Sequence, residues 1–273
     1  MNSPDYTRDV SRILACYSPA MLRFLLMCLL FLASPVHAEN DLEAVRKAAE
    51  QGHADAQFLL GLMYDVGEGV PENDAEAVRW YRKAAEQGHV PAQFNFGLMY
   101  YYGEGVPEDD AEAARWFHKA GEQGHARAQF NLGNMYYDGE GVPEDDAEAV
   151  RWYRNAAEQG HAPAQFYLGL MYDVGEGVPE NDAEAVRWYR NAAEQGDAPA
   201  QNNLGLMYGN GEGIPEDRVQ AYVWFSIAAA QGIASAKQNK ELVAEKMTPA
   251  EIAEARKLSR KYWEAYGPDP VAK

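Results

Sequence analysis

The chain has 273 residues, of which 47% are hydrophobic, 12% aromatic and 24% charged. That size suits one large domain or one elongated array, and the wealth of core-forming residues argues against disorder. Lys and Arg number 24 against 42 Asp and Glu, a formal charge of −18, so nucleic acid and anionic lipid, which demand clustered cations, are not expected partners.

The N-terminus reads as an export signal over residues 1–38. Arg23 precedes an apolar run from Phe24 to Ala33, Ser34-Pro35 breaks the run, and Val36-His37-Ala38 has the small-x-small form of a signal-peptidase site. The run is too short to span a bilayer of ~30 Å as a helix, which takes roughly 20 residues. Met21-Leu22-Arg23 offers an alternative, compact start. Ile13-Leu14-Ala15-Cys16 looks like a lipobox, but no apolar stretch precedes it. The mature chain is expected to begin at Glu39, in the periplasm or medium of a bacterium. Cys16 and Cys28 are the only cysteines and both precede that point. The mature chain therefore has no disulfide, thiol nucleophile or cysteine metal site.

Beyond residue 39 the sequence repeats with a step of 36, as in Gly61, Gly97, Gly133, Gly169 and Gly205, and in Trp80, Trp116, Trp152, Trp188 and Trp224. A fixed period of this length signals a stacked array. Residues 39–53 form an N-terminal half repeat, 54–233 hold five full repeats, and 234–273 form capping helices and a tail. In each repeat, apolar residues such as Ala56, Leu60, Met63 and Tyr64 recur at helical spacing over 54–66. Gly67-Glu68-Gly69-Val70-Pro71 stops that helix. Asn73 and Glu76 then stand at capping-box spacing, with Asp109/Glu112, Asp145/Glu148, Asn181/Glu184 and Asp217/Gln220 in the later repeats. The second helix carries Ala77, Trp80, Tyr81, Ala84 and Ala85 on its buried face, and Gly88 ends it. Gly61 admits a close neighbour, and the Trp and Tyr supply area across the seam between repeats.

The C-terminal end departs from the pattern. Ala234-x-Ala236 opens a first helix, but Glu241 stands where the repeat glycine would be. Thr248-Pro249-Ala250-Glu251 opens a last helix through Lys261 and Trp263. Residues 39–233 hold 13 Lys/Arg and 34 Asp/Glu, a balance of −21, whereas 234–273 hold 8 and 6. The cap is slightly basic on a strongly acidic array.

The motif Ala54-x-Ala56-Gln57-Phe58-x-Leu60-Gly61-x-Met63-Tyr64, with Gly67-Glu68-Gly69-Val70-Pro71 and Ala77-x-x-Trp80-Tyr81-x-x-Ala84-Ala85-Glu86-Gln87-Gly88, resembles the Sel-1-like repeat family, relatives of the tetratricopeptide repeat. The resemblance covers about residues 41–233. It implies an all-α fold, a right-handed α/α superhelical solenoid of helix-loop-helix repeats closed by a C-terminal capping helix. Some cysteine-rich relatives are linked to penicillin binding or hydrolysis. Their paired cysteines are missing here, so that activity is not carried over.

No catalytic, metal or cofactor constellation emerges. His53, His89, His125 and His161 recur at the repeat step, too far apart to share a metal at ~2.0–2.1 Å, and His118 stands alone on a helix surface. The acidic loops lack the order of a calcium loop. No phosphate, dinucleotide or hydrolase fingerprint is present, so no cofactor is expected. What remains is a surface. Inside the fixed repeat the first helix varies at Asn95, Tyr101, Tyr102, Asn131, Asn134, Tyr137, Asp138, Tyr167, Asn203 and Asn210. In tetratricopeptide-like arrays the corresponding face lines a concave groove. Tyr and Asn suit recognition of a protein or peptide, and the charge favours a basic one. The expected function is an exported adaptor or scaffold. The rival is a periplasmic hydrolase of cell-wall or β-lactam-like substrates, and a third reading is a structural assembly element.

Overall fold

The computed structural model describes residues 35–267. The apolar run Phe24–Ala33, expected to belong to an export signal, and both cysteines lie outside the described residues. Thirteen α-helices and no strand occur among the described residues. Helix α1 (Pro35–Glu50) precedes the first repeat. The first helices of the five repeats are α2 (Ala54–Val66), α4 (Val90–Tyr102), α6 (Ala126–Asp138), α8 (Ala162–Val174) and α10 (Ala198–Asn210). The second helices are α3 (Asp74–Glu86), α5 (Asp110–Glu122), α7 (Asp146–Glu158), α9 (Asp182–Glu194) and α11 (Arg218–Ala230). Helices α12 (Ala234–Ala244) and α13 (Pro249–Tyr266) close the chain. The chain divides into two compact units at His125/Ala126. None of the described helices is long and apolar enough to cross a membrane.

Local chemistry sets each boundary. Gly67 ends α2 in the left-handed region at φ 70° and returns its N–H to the Met63 carbonyl. The second loop glycine has a further duty. A Cβ on Gly105, also at positive φ, would collide with the backbone of Asp74 at the start of the previous second helix. The Asn73 side chain caps α3 by accepting from the Glu76 N–H at 3.1 Å. The expected box closes only halfway. The Asn73 N–H is already donated to the Tyr64 carbonyl at 2.8 Å, and Glu76 turns to Arg79 instead. The complete box appears at Thr248 and Glu251, where α13 starts.

The first helix lies between two second helices, so burial wraps around it. On α2 the buried residues are Gln57, Phe58, Leu60, Gly61 and Leu62, a wider set than the Ala56–Leu60–Met63–Tyr64 stripe, whose Ala56, Met63 and Tyr64 are half-buried. Gly61 sits under its partner ring: a Cβ there would lie 2.7 Å from the Tyr81 ring. Any side chain would push the second helix away, at a cost of ~1–3 kcal/mol for overpacking.

The tryptophan column fills the seams. Trp116 packs on Ala77, Tyr81, Ala84 and Ala85 of the preceding second helix, and Trp188 on Ala149, Tyr153 and Ala156 of its own predecessor. Trp152 is 2% exposed. A glutamine column ties the corners. Gln93 is buried, donates to the Ala85 carbonyl at 3.2 Å and accepts from Gln123 at 2.7 Å. The Ala85 carbonyl at the end of α3 already accepts from the Gly88 N–H at 3.0 Å, and Gln93 gives it a second donor from the next helix. Gln57, Gln165 and Gln201 repeat the arrangement.

Candidate protein-binding face

The second-helix ring opposite the repeat glycine is Tyr81, Phe117, Tyr153, Tyr189 or Phe225. Each tyrosine is buried yet keeps a hydroxyl, so each needs an acceptor. Tyr81 donates to Asp65 at 2.9 Å, Tyr153 to Asn134 at 2.9 Å and Tyr189 to Asp173 at 3.0 Å. Where the ring is Phe117 or Phe225, the position of Asp65 is taken by Tyr101 or Gly209. Part of the variation on the first helix is thus internal complementarity. Burial pushes the phenols of Tyr153 and Tyr189 well above their ordinary range, so both remain neutral donors. Asp173 is raised by burial, opposed by the Tyr189 hydrogen bond and reinforced by Asp182, Glu212 and Glu180.

The ten variable residues divide by depth. In the second unit, Tyr167 stacks on Tyr153 with centroids 5.4 Å apart, so Asn134, Tyr153 and Tyr167 form one cluster. Asn203, at the position of Tyr167 one repeat on, accepts from Asn202 at 3.3 Å. Asn131 is half-buried and Asp138 exposed. Tyr137 reaches Glu176 at 3.4 Å, and the charge of Glu176 raises its pKa. Asn210 is exposed and donates to Glu212 at 3.2 Å. In the first unit, Asn95 is half-buried. Tyr101 contacts Phe117 at 6.4 Å and Tyr102 edge-on at 5.1 Å.

Sequence reasoning named Tyr102 but missed the aliphatic part of this face. The exposed large hydrophobic side chains among the described residues are Tyr102, Val174, Leu206, Leu242 and Trp263. All but Trp263 lie on first-type helices, at the positions of Leu62 or Val66. Leu206 is 37% exposed and its counterpart Leu62 is 7% exposed. A leucine recurring at the repeat step looks like core in sequence, and only its exposure reveals otherwise.

The histidine column has a structural use that sequence did not reveal. His89 Nδ1 accepts from the Ala92 N–H at 3.2 Å and His161 Nδ1 from Ala164 at 3.3 Å. Asp197 fills the same role with its carboxylate at 2.8 Å. These side chains cap the first helices. Burial lowers the pKa of His89 against the pull of Asp55, and burial with Arg127 lowers that of His161 to about 4. His118 is half-exposed beside Glu122 at 3.7 Å. Among the described residues no three His, Asp or Glu side chains are grouped to hold a metal ion. The face offers aliphatic contact, amide and phenol hydrogen bonds and a negative rim, which are the materials of recognition.

The comparisons agree with this architecture. The Sel1 repeat model matches residues 54–89, 90–125, 126–161, 162–197 and 198–233. A Sel1 repeat protein from Oxalobacter formigenes is 37% identical over 85% of this chain and 87% of that one, with a TM-score of 0.66. A protective antigen of uropathogenic Escherichia coli displaying an SLR fold is 30% identical over 85% of this chain and 65% of that one, at 0.47. A Sel1 repeat protein from Klebsiella pneumoniae is 22% identical over 74% of this chain and 99% of that one, at 0.44. No curated protein matches. Five repeats matched end to end place the chain in the Sel1 repeat family, a fold generally used for protein–protein interaction.

Proposed function

We propose that the chain is an exported bacterial adaptor that holds a protein or peptide segment on its first-helix face. One observation carries the reading: in the second unit Val174, Leu206 and Leu242 expose large apolar surface at the repeat positions of Val66 and Leu62, beside the variable Asn and Tyr side chains. Exposed apolar groups concentrated on one face mark interaction sites more often than scattered ones do. Asp138, Glu176 and Glu212 on the rim favour a basic segment. Arg23, the apolar run and Val36-His37-Ala38 support export, with the mature chain starting at Glu39 in the periplasm or medium.

A pull-down from envelope extract with the chain beginning at Glu39 supplies the partner, and surface plasmon resonance then tests the face. Val174→Ser with Leu206→Ser raises the off-rate at least tenfold while the on-rate holds, because the change adds no charge and affinity within one interface is tuned mainly through dissociation. Salt lowers the on-rate by screening. If that double variant binds like the parent while the second-helix change Arg151→Ala abolishes binding, the site lies on the opposite surface. N-terminal sequencing that finds an intact Met1 on cytosolic protein overturns export.

A further inference from the structure

The arginines of the array are occupied. Arg79, Arg115, Arg151 and Arg187 each pair with the glutamate three residues before, Glu76, Glu112, Glu148 and Glu184. Arg151 and Arg187 also lie over Trp152 and Trp188 at 4.3 and 4.4 Å. Helix α13 differs. Tyr262 and Tyr266 face inward against Trp224 at 5.1 and 5.7 Å, which turns Arg256, Lys257, Arg260 and Lys261 outward. All four are exposed. None of them has a carboxylate within ion-pair distance among the described residues. Trp263 lies at the edge of the same face and is 38% exposed. On an isolated helix these residues would be an ordinary solvated surface. Here they are four unpaired cations beside an exposed indole, on a chain of charge −18.

The array holds the counterpart. Glu72, Glu108, Glu144 and Glu180 occupy one loop position of successive repeats, are exposed, and have no ion pair among the described residues. Glu216 at the same position of the fifth repeat is taken by Arg218 at 2.9 Å. Neighbouring glutamates such as Glu144 and Glu180 sit one repeat apart, on the order of the 8–10 Å between packed helices. Arg256 and Arg260 sit one helical turn apart, about 6 Å, and their side chains are long enough to span the difference. Helix α13 cannot turn to these loops in its own chain, because it is fixed against α11 and α9.

We propose that the outward face of α13 docks on the acidic loops of a second copy of this chain. The contact joins two different surfaces, so it is head-to-tail and leaves a free α13 and free loops at the two ends for further copies. Desolvating Trp263 supplies the aromatic anchor, and the charge pairs supply orientation and rate. This inference is independent of the first-helix face.

Sedimentation equilibrium of the purified chain tests it over a range of concentrations. At an ionic strength of ~0.01 M, where the screening length is about 30 Å, the mass of the chain beginning at Glu39 rises with concentration above that of a single copy. At ~1 M salt it returns to that value. Arg256→Glu with Arg260→Glu weakens association by about tenfold or more, and so does Glu144→Lys with Glu180→Lys. Mixing the two variants restores it, an outcome that misfolding cannot mimic. Circular dichroism of each variant matches the parent, since all four positions are exposed. A monomer at every concentration in low salt overturns the proposal, as does failure of the mixture to associate. Adsorption of the parent to phosphatidylglycerol vesicles without self-association overturns it too and identifies lipid as the occupant.

Discussion

The fourth and fifth repeats build the same hairpin and finish its outer side in opposite ways. In the fourth, Trp188 is flanked by Arg187 and Asn191, and the guanidinium shields the ring from water. In the fifth, those two positions are Val223 and Ile227, both buried, and the rings of Tyr262 and Tyr266 lie over Trp224. A seam open to solvent carries long charged side chains that cover apolar surface with their stems. A seam covered by a helix loses them. The end of the array follows the same rule. Glu241 stands where Gly61 admits Tyr81, so α12 cannot accept a further second helix at that distance.

Exchanging the two solutions gives the largest expected effect. Val223→Arg forces an unpaired charge under α13, and Trp224→Ala removes the ring that α13 covers. Each should cost ~3–5 kcal/mol in urea unfolding monitored by circular dichroism. Trp152→Ala belongs to the same class. Values near zero for Val223→Arg would mean that α13 does not cover the seam.

A second exchange concerns the ring opposite the repeat glycine. Phe225→Tyr places a hydroxyl where the fifth repeat offers Gly209 in place of Asp173. An unsatisfied buried hydroxyl costs ~1–3 kcal/mol. Gly209→Asp in the same chain should recover most of it. A Cβ at Gly209 makes only ordinary contact, at 3.7 Å with Ala221. A double-mutant cycle that shows no coupling breaks the complementarity argument.

Much of this was legible in the sequence. The 36-residue step, the loop glycines and the Trp–Tyr–Ala–Ala face of the second helix each follow from a local rule. The helix bounds follow as well. Three features were not legible, because they depend on which neighbour a side chain meets. Asn134 and Tyr167 read as free surface, but their partner Tyr153 lies on another helix. The histidine column reads only as residues too far apart to share a metal, because capping by imidazole is not a common sequence signal. The exposure of Leu206 and Leu242 was not seen, because hydropathy cannot say which side of a sandwiched helix is left bare.

The capping column gives a third, smaller effect, of opposite sign in adjacent repeats. His161 caps α8 only while Nδ1 is unprotonated. Its folded pKa of about 4 lies below the ordinary histidine value of 6.5, so the folded chain binds fewer protons than the unfolded one between those values. Its contribution is complete above pH 6.5 and lost as the pH falls towards about 4. Asp197, one repeat on, is raised by burial, against the Ala200 hydrogen bond. Its contribution is therefore gained on acidification. His161→Asn keeps an acceptor at the cap, worth ~1 kcal/mol, and should flatten the fall in melting temperature below pH 6.5. An unchanged pH profile would show that His161 carries none of it.

The smallest expected effect is the most discriminating. Arg187→Val copies the fifth repeat into the fourth without supplying a covering helix. It removes an exposed pair with Glu184, 3.5 Å apart, and a cation over Trp188. Exposed pairs contribute about 0–1 kcal/mol, and the valine keeps part of the stem's contact with the ring. Stability should therefore change by no more than ~0.5 kcal/mol, the range of ordinary surface substitutions. Solubility should fall instead, because the variant bares apolar surface beside an indole. A loss as large as that of Val223→Arg would mean that the arginine column holds the seams shut, and that open and covered seams are stabilised by different forces. A change near zero with retained solubility would leave the charged column no role in shielding the tryptophans, and would reduce its occurrence in the first four repeats to helix-surface pairing with Glu184 and its equivalents.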